Sequence, residues 1–149
     1  MVEIRPLVES DRAEWETLTH AFKQHFNAEE SDEAYDRVWR RLMEAEEIYG
    51  IAARLDGRMV GIAHYYFHVG IWRSKACYLG DLYVDKEVRR HGVARAILDW
   101  LAREAAERGA GRFYWNTPQD DPLSRPFYDK VARFQPLVMY SYPHKLSVK

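Results

Sequence analysis

The densest chemistry in the sequence lies in Leu82-Tyr83-Val84-Asp85-Lys86-Glu87-Val88-Arg89-Arg90-His91-Gly92-Val93-Ala94. An extended apolar run enters a turn with Arg89, Arg90 and His91 in succession, then a glycine, then a helical pattern. The first N–H groups of a helix have no intrahelical partner, and the helix dipole favours an anion in front of them. Gly92, lacking Cβ, lets a ligand approach the backbone. Arg89, Arg90 and His91 can add charge-assisted hydrogen bonds. Two readings stand: a cradle for a pyrophosphate, or a solvated basic helix start closed by a glycine turn. The stretch is not a P-loop, because no Gly-Lys-Ser/Thr follows, and it is not Gly-x-Gly-x-x-Gly.

Composition narrows the classes. The charge is nearly balanced, 22 Lys plus Arg against 23 Asp plus Glu, which argues against a general nucleic-acid binder. With Cys77 as the single cysteine, an intramolecular disulfide and a cysteine-based zinc site are excluded. Cys77 sits in a strand pattern and reads as a buried packing group. Met1-Val2-Glu3-Ile4-Arg5 lacks the apolar run of a signal peptide, and no stretch approaches the roughly 20 apolar residues of a membrane span. A cytoplasmic protein with no membrane partner is expected. The 149 residues, 47% of them apolar, fit one domain over 1–149.

The elements that must position the motif follow from periodicity. Val2, Ile4 and Leu7 suggest a first strand. Ser10 or Asp11 can cap a helix with the apolar face Trp15, Leu18, Phe22 and Phe26. Ser31 or Asp32 can cap a second, with the face Tyr35, Val38, Trp39, Leu42 and Met43. The period then shortens over 48–55 and 59–69, with Asp56-Gly57 between them as a tight hairpin turn. A second turn near 70–75 leads to a strand over 76–84. A long helix over about 92–108 ends at Gly109-Ala110-Gly111. A strand over 112–117, a shorter helix over 121–132 and a last strand over 137–142 complete the chain. The fold class is therefore α/β, a mixed sheet in the order β-α-α-β-β-β-α-β-α-β: an antiparallel meander joined to one parallel strand pair.

Arg89-x-x-Gly92-x-Ala94 resembles the Gln/Arg-x-x-Gly-x-Gly/Ala signature of the GNAT N-acetyltransferase superfamily, and it follows the fourth strand, as that family requires. The resemblance covers nearly the whole chain. Three further stretches resemble the branch of the yeast histone-and-polyamine/D-amino-acid acetyltransferases. They are His64-Tyr65-Tyr66-Phe67-His68 with Trp72, then Tyr78-Leu79-Gly80-Asp81-Leu82-Tyr83-Val84, then Tyr114-Trp115-Asn116-Thr117 with Phe127-Tyr128-Asp129-Lys130-Val131. The second also resembles diamine acetyltransferases.

The resemblance implies transfer of acetyl from acetyl-coenzyme A to a primary amine of a small molecule, by direct attack and without a metal. It implies that the backbone of Leu82, Tyr83 and Val84 pairs with the pantetheine arm. Backbone N–H groups of Arg90, His91, Gly92, Val93, Ala94 and Arg95 are expected on the pyrophosphate. Asp121 and Ser124 are expected near the thiol end, and Tyr128 stands where the family has its general acid. A tyrosine hydroxyl, with an ordinary pKa of about 10, can donate to a departing thiolate while staying protonated at neutral pH. Tyr128 can equally be a helix aromatic packed on a sheet. A homodimer is expected in this branch, with C-terminal strands paired or exchanged.

The chain departs from the family at identifiable places. Arg90 stands where glycine is common, Asp121 where asparagine is frequent, and Ala132 where a glycine usually ends the helix. Pro126 falls inside the fourth helix pattern and must disrupt or restart its first turn. Gly80 replaces the glutamate that precedes the aspartate in diamine acetyltransferases, so the general base is not assigned. Asp81 is the nearest carboxylate, and strict alternation puts it on the opposite face from residue 80. His64 and His68 are the other candidates. For the acceptor, Glu29 and Glu30 lie in an acidic stretch with His25, Asp32 and Glu33. That stretch either attracts a cationic amine or complements a helix dipole. Tyr65, Tyr66, Phe67 and Trp72 can wall a pocket, form an interface or fill the core. Two other functions remain: a protein lysine acetyltransferase, and a non-catalytic acetyl-coenzyme A sensor.

Overall fold

The computed structural model describes residues 1–147. They form two compact units, Met1–Asn116 and the segment from Thr117 onward. The first unit holds β1 (Val2–Pro6), α1 (Arg12–His25), α2 (Asp32–Glu44), β2 (Tyr49–Leu55), β3 (Arg58–His68), β4 (Ala76–Val84), α3 (Val93–Glu107) and β5 (Arg112–Trp115). The second holds α4 (Arg125–Val131). The sheet runs in the order β1-β2-β3-β4-β5, antiparallel except for the parallel pair β4–β5. The mixed sheet read from the sequence is present.

Local signals place the boundaries. Asp56 and Gly57 both take positive φ, 50° and 80°, as a two-residue hairpin with the right-handed strand twist requires. The Ser31 hydroxyl accepts the Ala34 N–H at 3.1 Å and caps α2. Gly109, at φ 80°, closes α3, and the Ala110 N–H bonds back to Ala105 O at 2.9 Å.

The helices cover the sheet from two directions. Trp15 and Leu18 of α1 and Tyr35, Trp39 and Leu42 of α2 pack with Leu7, Ala52, Met59 and Ile62. On α3, Val93, Ile97, Leu98, Leu101 and Ala105 are buried. Gly61 lets α3 lie close on β3: a Cβ there would come within 3.0 Å of the Ile97 side chain. Cys77 is fully buried, and burial pushes its thiol up to about 11, which suits packing and not nucleophilic attack.

Three expectations need correction. Asp11 does not cap α1 through its side chain; its carboxylate instead gathers Arg5, Arg54 and the Val8 N–H. The last strand over 137–142 is absent among the described residues. Leu137, Val138, Met139, Tyr140 and Tyr142 are 70–88% exposed there, and an apolar alternation becomes a strand only where a neighbour supplies hydrogen bonds. The fourth helix is shorter than its pattern, starting at Arg125 with Pro126 in the first turn, where a missing N–H costs nothing. Ala132 ends it in extended backbone, so no left-handed glycine is needed. No helix among the described residues is long and apolar enough to cross a membrane.

Candidate active site

β4 pairs with β3 along its whole length, from Ala76 to Val84. It pairs with β5 only as far as Leu79, opposite Trp115. Beyond Leu79, its outer edge has no strand partner among the described residues, so Leu82, Tyr83 and Val84 lack a neighbouring strand there, with Val84 O taken by a side chain. That edge leads through 85–92 to α3. Gly92 precedes the helix at φ 78°, and the first intrahelical bond runs from Ala96 N–H to Gly92 O at 3.0 Å. The N–H groups of Val93, Ala94 and Arg95 therefore stand ahead of the helical ladder, with no side-chain cap. Arg90 adopts φ 71°, a conformation that glycine takes without strain. The turn thus keeps a glycine-like path despite the arginine. Arg89 is drawn back to the strand: its Nε–H donates to Val84 O at 3.2 Å and its guanidinium lies over the Tyr83 ring.

The second feature is a bulge. His64 pairs with Asp81 but Tyr65 pairs with Leu79, so Gly80 is an extra residue in β4. Alternation breaks there. A Cβ on Gly80 would approach the Tyr78 ring at 3.9 Å, and that ring packs on Tyr66, two residues along β3 from His64. Position 80 and Asp81 thus share the face toward α1 and α2, contrary to strict alternation. Across this face His64 Nδ1 meets Asp81 Oδ2 at 2.9 Å, and the Trp15 indole N–H donates to His64 Nε2 at 2.8 Å. Burial opposes the charge on Asp81, but the His64 hydrogen bond, with Lys23, outweighs it and holds the carboxyl below its ordinary range. Its side chain is 40% exposed, open to a ligand. A bound ammonium, and not proton removal, is what such a carboxylate suits.

In the second unit Asp121, Ser124 and Thr117 come together. The Ser124 hydroxyl donates to Asp121 at 2.5 Å and lies 3.0 Å from the Thr117 hydroxyl, while the Leu123 N–H donates to Asp121. Tyr128 is half-buried on α4, and burial together with the Asp121 charge pushes its hydroxyl up to about 12.

The profile of the acetyltransferase (GNAT) family matches residues 15–134. The chain belongs to that family. Among curated relatives, it is 33% identical over 85 residues to a D-amino-acid N-acetyltransferase of Saccharomyces cerevisiae, covering 56% of this chain and 53% of that one. It is 29% identical over 101 residues to a thialysine N-epsilon-acetyltransferase of Mus musculus, 68% and 59% respectively. The chain thus spans between half and three-fifths of the length of these relatives. Among solved structures it shares the fold of the aminoglycoside N-acetyltransferase AAC(6')-Iy, with a TM-score of 0.86 at 16% identity over 98% of this chain and 99% of that one. That protein was solved with a bisubstrate analogue joining coenzyme A to acetylneamine.

Within this family fold, not every expected site residue gathers at the same place. Tyr65 is 3% exposed, stacked on Tyr49, and flanked by Phe67, over which Arg108 at the end of α3 lies. It faces α3, away from Asp81, and cannot line a site there. Glu29 and Glu30 are exposed in the loop between α1 and α2, Glu30 paired with Lys23 at 3.5 Å. His68 is held by the Tyr114 hydroxyl at 2.8 Å and by Val69 O. Sequence reasoning missed Trp15 as a polar partner, because its spacing marked only a core position. It also missed Tyr78 and Tyr114, whose rings pack beside Tyr66 on the Asp81 face.

Gly92→Ala tests the turn. No atom lies within 4 Å of a Cβ there, so the cost is purely the left-handed backbone, about 1–2 kcal/mol. Urea denaturation is expected to show that loss.

Proposed function

We propose that the chain is an N-acetyltransferase that moves acetyl from acetyl-coenzyme A to a primary amine of a small molecule. The observation that carries this is the open edge of β4 running into the uncapped start of α3. The open edge of residues 82–84 suits the amides of a pantetheine arm, and the N–H groups of Val93, Ala94 and Arg95 suit a pyrophosphate. Arg90, His91 and Gly92 complete this cradle, while Arg89 braces the strand end. Acetyl-coenzyme A supplies the activated acetyl thioester. Asp81 binds the ammonium form of the acceptor, and that ammonium, of pKa about 10.4, loses its proton to bulk solvent before attack, so pH and not Asp81 sets the reactive neutral fraction. The amine nitrogen bonds to the acetyl carbon, the carbon–sulfur bond breaks, the departing thiolate takes the Tyr128 hydroxyl proton, and the surplus proton of the new amide nitrogen returns through solvent to the tyrosinate. Asp121 and Ser124 orient that region. Glu29 and Glu30 add long-range attraction for a cation.

Both compact units belong to one catalytic domain in this reading, supported by a family profile that runs through both. A homodimer belongs to it too, supported by the exposed apolar run over 137–142. The relatives' acceptors, D-amino acids and thialysine, together with the aminoglycoside of the structural neighbour, favour a small cationic amine.

Thiol release from acetyl-coenzyme A over a panel of polyamines, amino acids, aminoglycosides and lysine peptides tests the proposal. Amine-dependent release is expected, with kcat falling about 100-fold in Tyr128→Phe, the low end of general-acid effects, since a hydroxyl this hard to ionise gives up its proton reluctantly. Release with lysine peptides alone would mean a protein acetyltransferase. Tight coenzyme A binding without release would mean a sensor.

A further inference from the structure

The polar chain Trp15–His64–Asp81 crosses three elements, α1, β3 and β4, and nothing in core packing requires it. Trp15 is fully buried and wedged between the rings of Tyr35 and Trp39, with centroids 6.0 and 4.9 Å away. Its N–H donates to His64 Nε2, and His64 Nδ1 meets Asp81 Oδ2. An indole N–H only donates, so Nε2 is the bare nitrogen and the ring proton sits on Nδ1. An ionised carboxylate only accepts, so that proton points at Asp81. Every donor then meets an acceptor. A second ring proton would set N–H against N–H at 2.8 Å.

We propose that Trp15 and His64 are positioning residues for the acceptor amine: the indole fixes which His64 nitrogen carries the proton, and that proton locks Asp81 Oδ2 so that Oδ1 meets the ammonium group. Asp81 Oδ1 makes no hydrogen bond to a described residue, and the side chain is 40% exposed. The same geometry removes His64 as the general base. Its Nε2 is covered by Trp15, and its Nδ1 already holds a proton. Besides His64, the charged group acting on Asp81 is Lys23 of α1. The ammonium as occupant rests on the acetyl-transfer reading; the fixed tautomer does not.

The test has two independent readouts. Nitrogen NMR of the His64 ring is expected to show the Nδ1–H tautomer in the wild type. In Trp15→Phe, which keeps an aromatic ring and removes the donor, a mixture of the two ring tautomers is expected. In amine kinetics, His64→Leu is expected to raise the amine KM about tenfold with kcat and the acetyl-coenzyme A KM little changed. His64→Asn, whose amide nitrogen replaces the Nδ1–H donor, is expected to restore most of that loss, and circular dichroism checks that both variants fold. An Nε2–H tautomer in the wild type, or one unmoved by Trp15→Phe, would overturn the inference. So would a kcat fall of more than about 100-fold shared by His64→Leu and His64→Asn, the signature of a base. If no amine is turned over by the wild type, the acetyl-transfer reading fails and the ammonium role with it, while the NMR result still decides the tautomer.

Discussion

Asp81→Asn is expected to raise the KM for a cationic amine about 10- to 100-fold while leaving kcat within a few-fold of the wild type. A hydrogen bond to a charged group contributes about 1.5–3 kcal/mol, which sets that range. An acceptor that is uncharged at the assay pH should lose far less. The split separates an anchor from a base, because loss of a general base lowers kcat by about 100- to 10,000-fold. The pH dependence gives a second check. With Asp81 held below the ordinary carboxylate range, it stays ionised through neutral pH. The rate should therefore keep rising with pH toward the pKa of the amine, about 10.4, as the reactive neutral form becomes available. A plateau near pH 6–7 would mark a histidine base instead.

Asp11→Ala is expected to cost about 3 kcal/mol in urea denaturation. Asp11 is 2% exposed and accepts from both Arg5 Nη atoms at 2.9 and 3.1 Å, from Arg54 at 2.7 Å and from the Val8 N–H at 2.8 Å. Removing one member of a buried ionic cluster strands the others, at about 3–5 kcal/mol. The low end applies because Arg5 is 37% exposed and Arg54 keeps Glu14 at 2.9 Å. The cluster also makes stability pH-dependent. Burial opposes the Asp11 charge, but Arg5, the Val8 N–H and Arg54 outweigh it, so its folded pKa is depressed. The Met59 N–H and Arg54 depress that of Glu14 against burial. Groups depressed on folding stabilise fully above their unfolded values, about 3.9 and 4.3, and lose that contribution as pH falls through the folded values. Wild-type stability should thus fall more steeply below about pH 4 than that of Asp11→Ala, whose remaining acid sensitivity comes from Glu14.

The elements set by a few adjacent residues were legible in the sequence. Asp56-Gly57, Ser31 and Gly109 each fix a turn or a helix end through local dihedral preference or one short hydrogen bond, so no distant partner is needed. The strand-turn-helix around Gly92 was legible for the same reason, and so was the family signature it carries. Periodicity marked Trp15, Tyr35, Trp39 and Leu42 as core, because burial of one helix face depends on spacing alone.

Only the tertiary structure decided the rest. The bulge at Gly80 depends on how many residues of β4 face β3, a count that no single strand contains. It brought position 80 onto the face that Asp81 shares with His64, where strict alternation had separated the two. Trp15 and His64 are 49 positions apart, so their hydrogen bond appears only once α1 lies on the sheet. Tyr65 and His64 are neighbours in sequence and part to opposite faces, one into the core under α3, the other toward Asp81. The run over 137–142 carries a strand pattern without a described partner, and pattern alone makes no strand. Sequence determined the scaffold and the kind of ligand it suits, because those rest on local geometry; tertiary contact decided which side chains meet in the site.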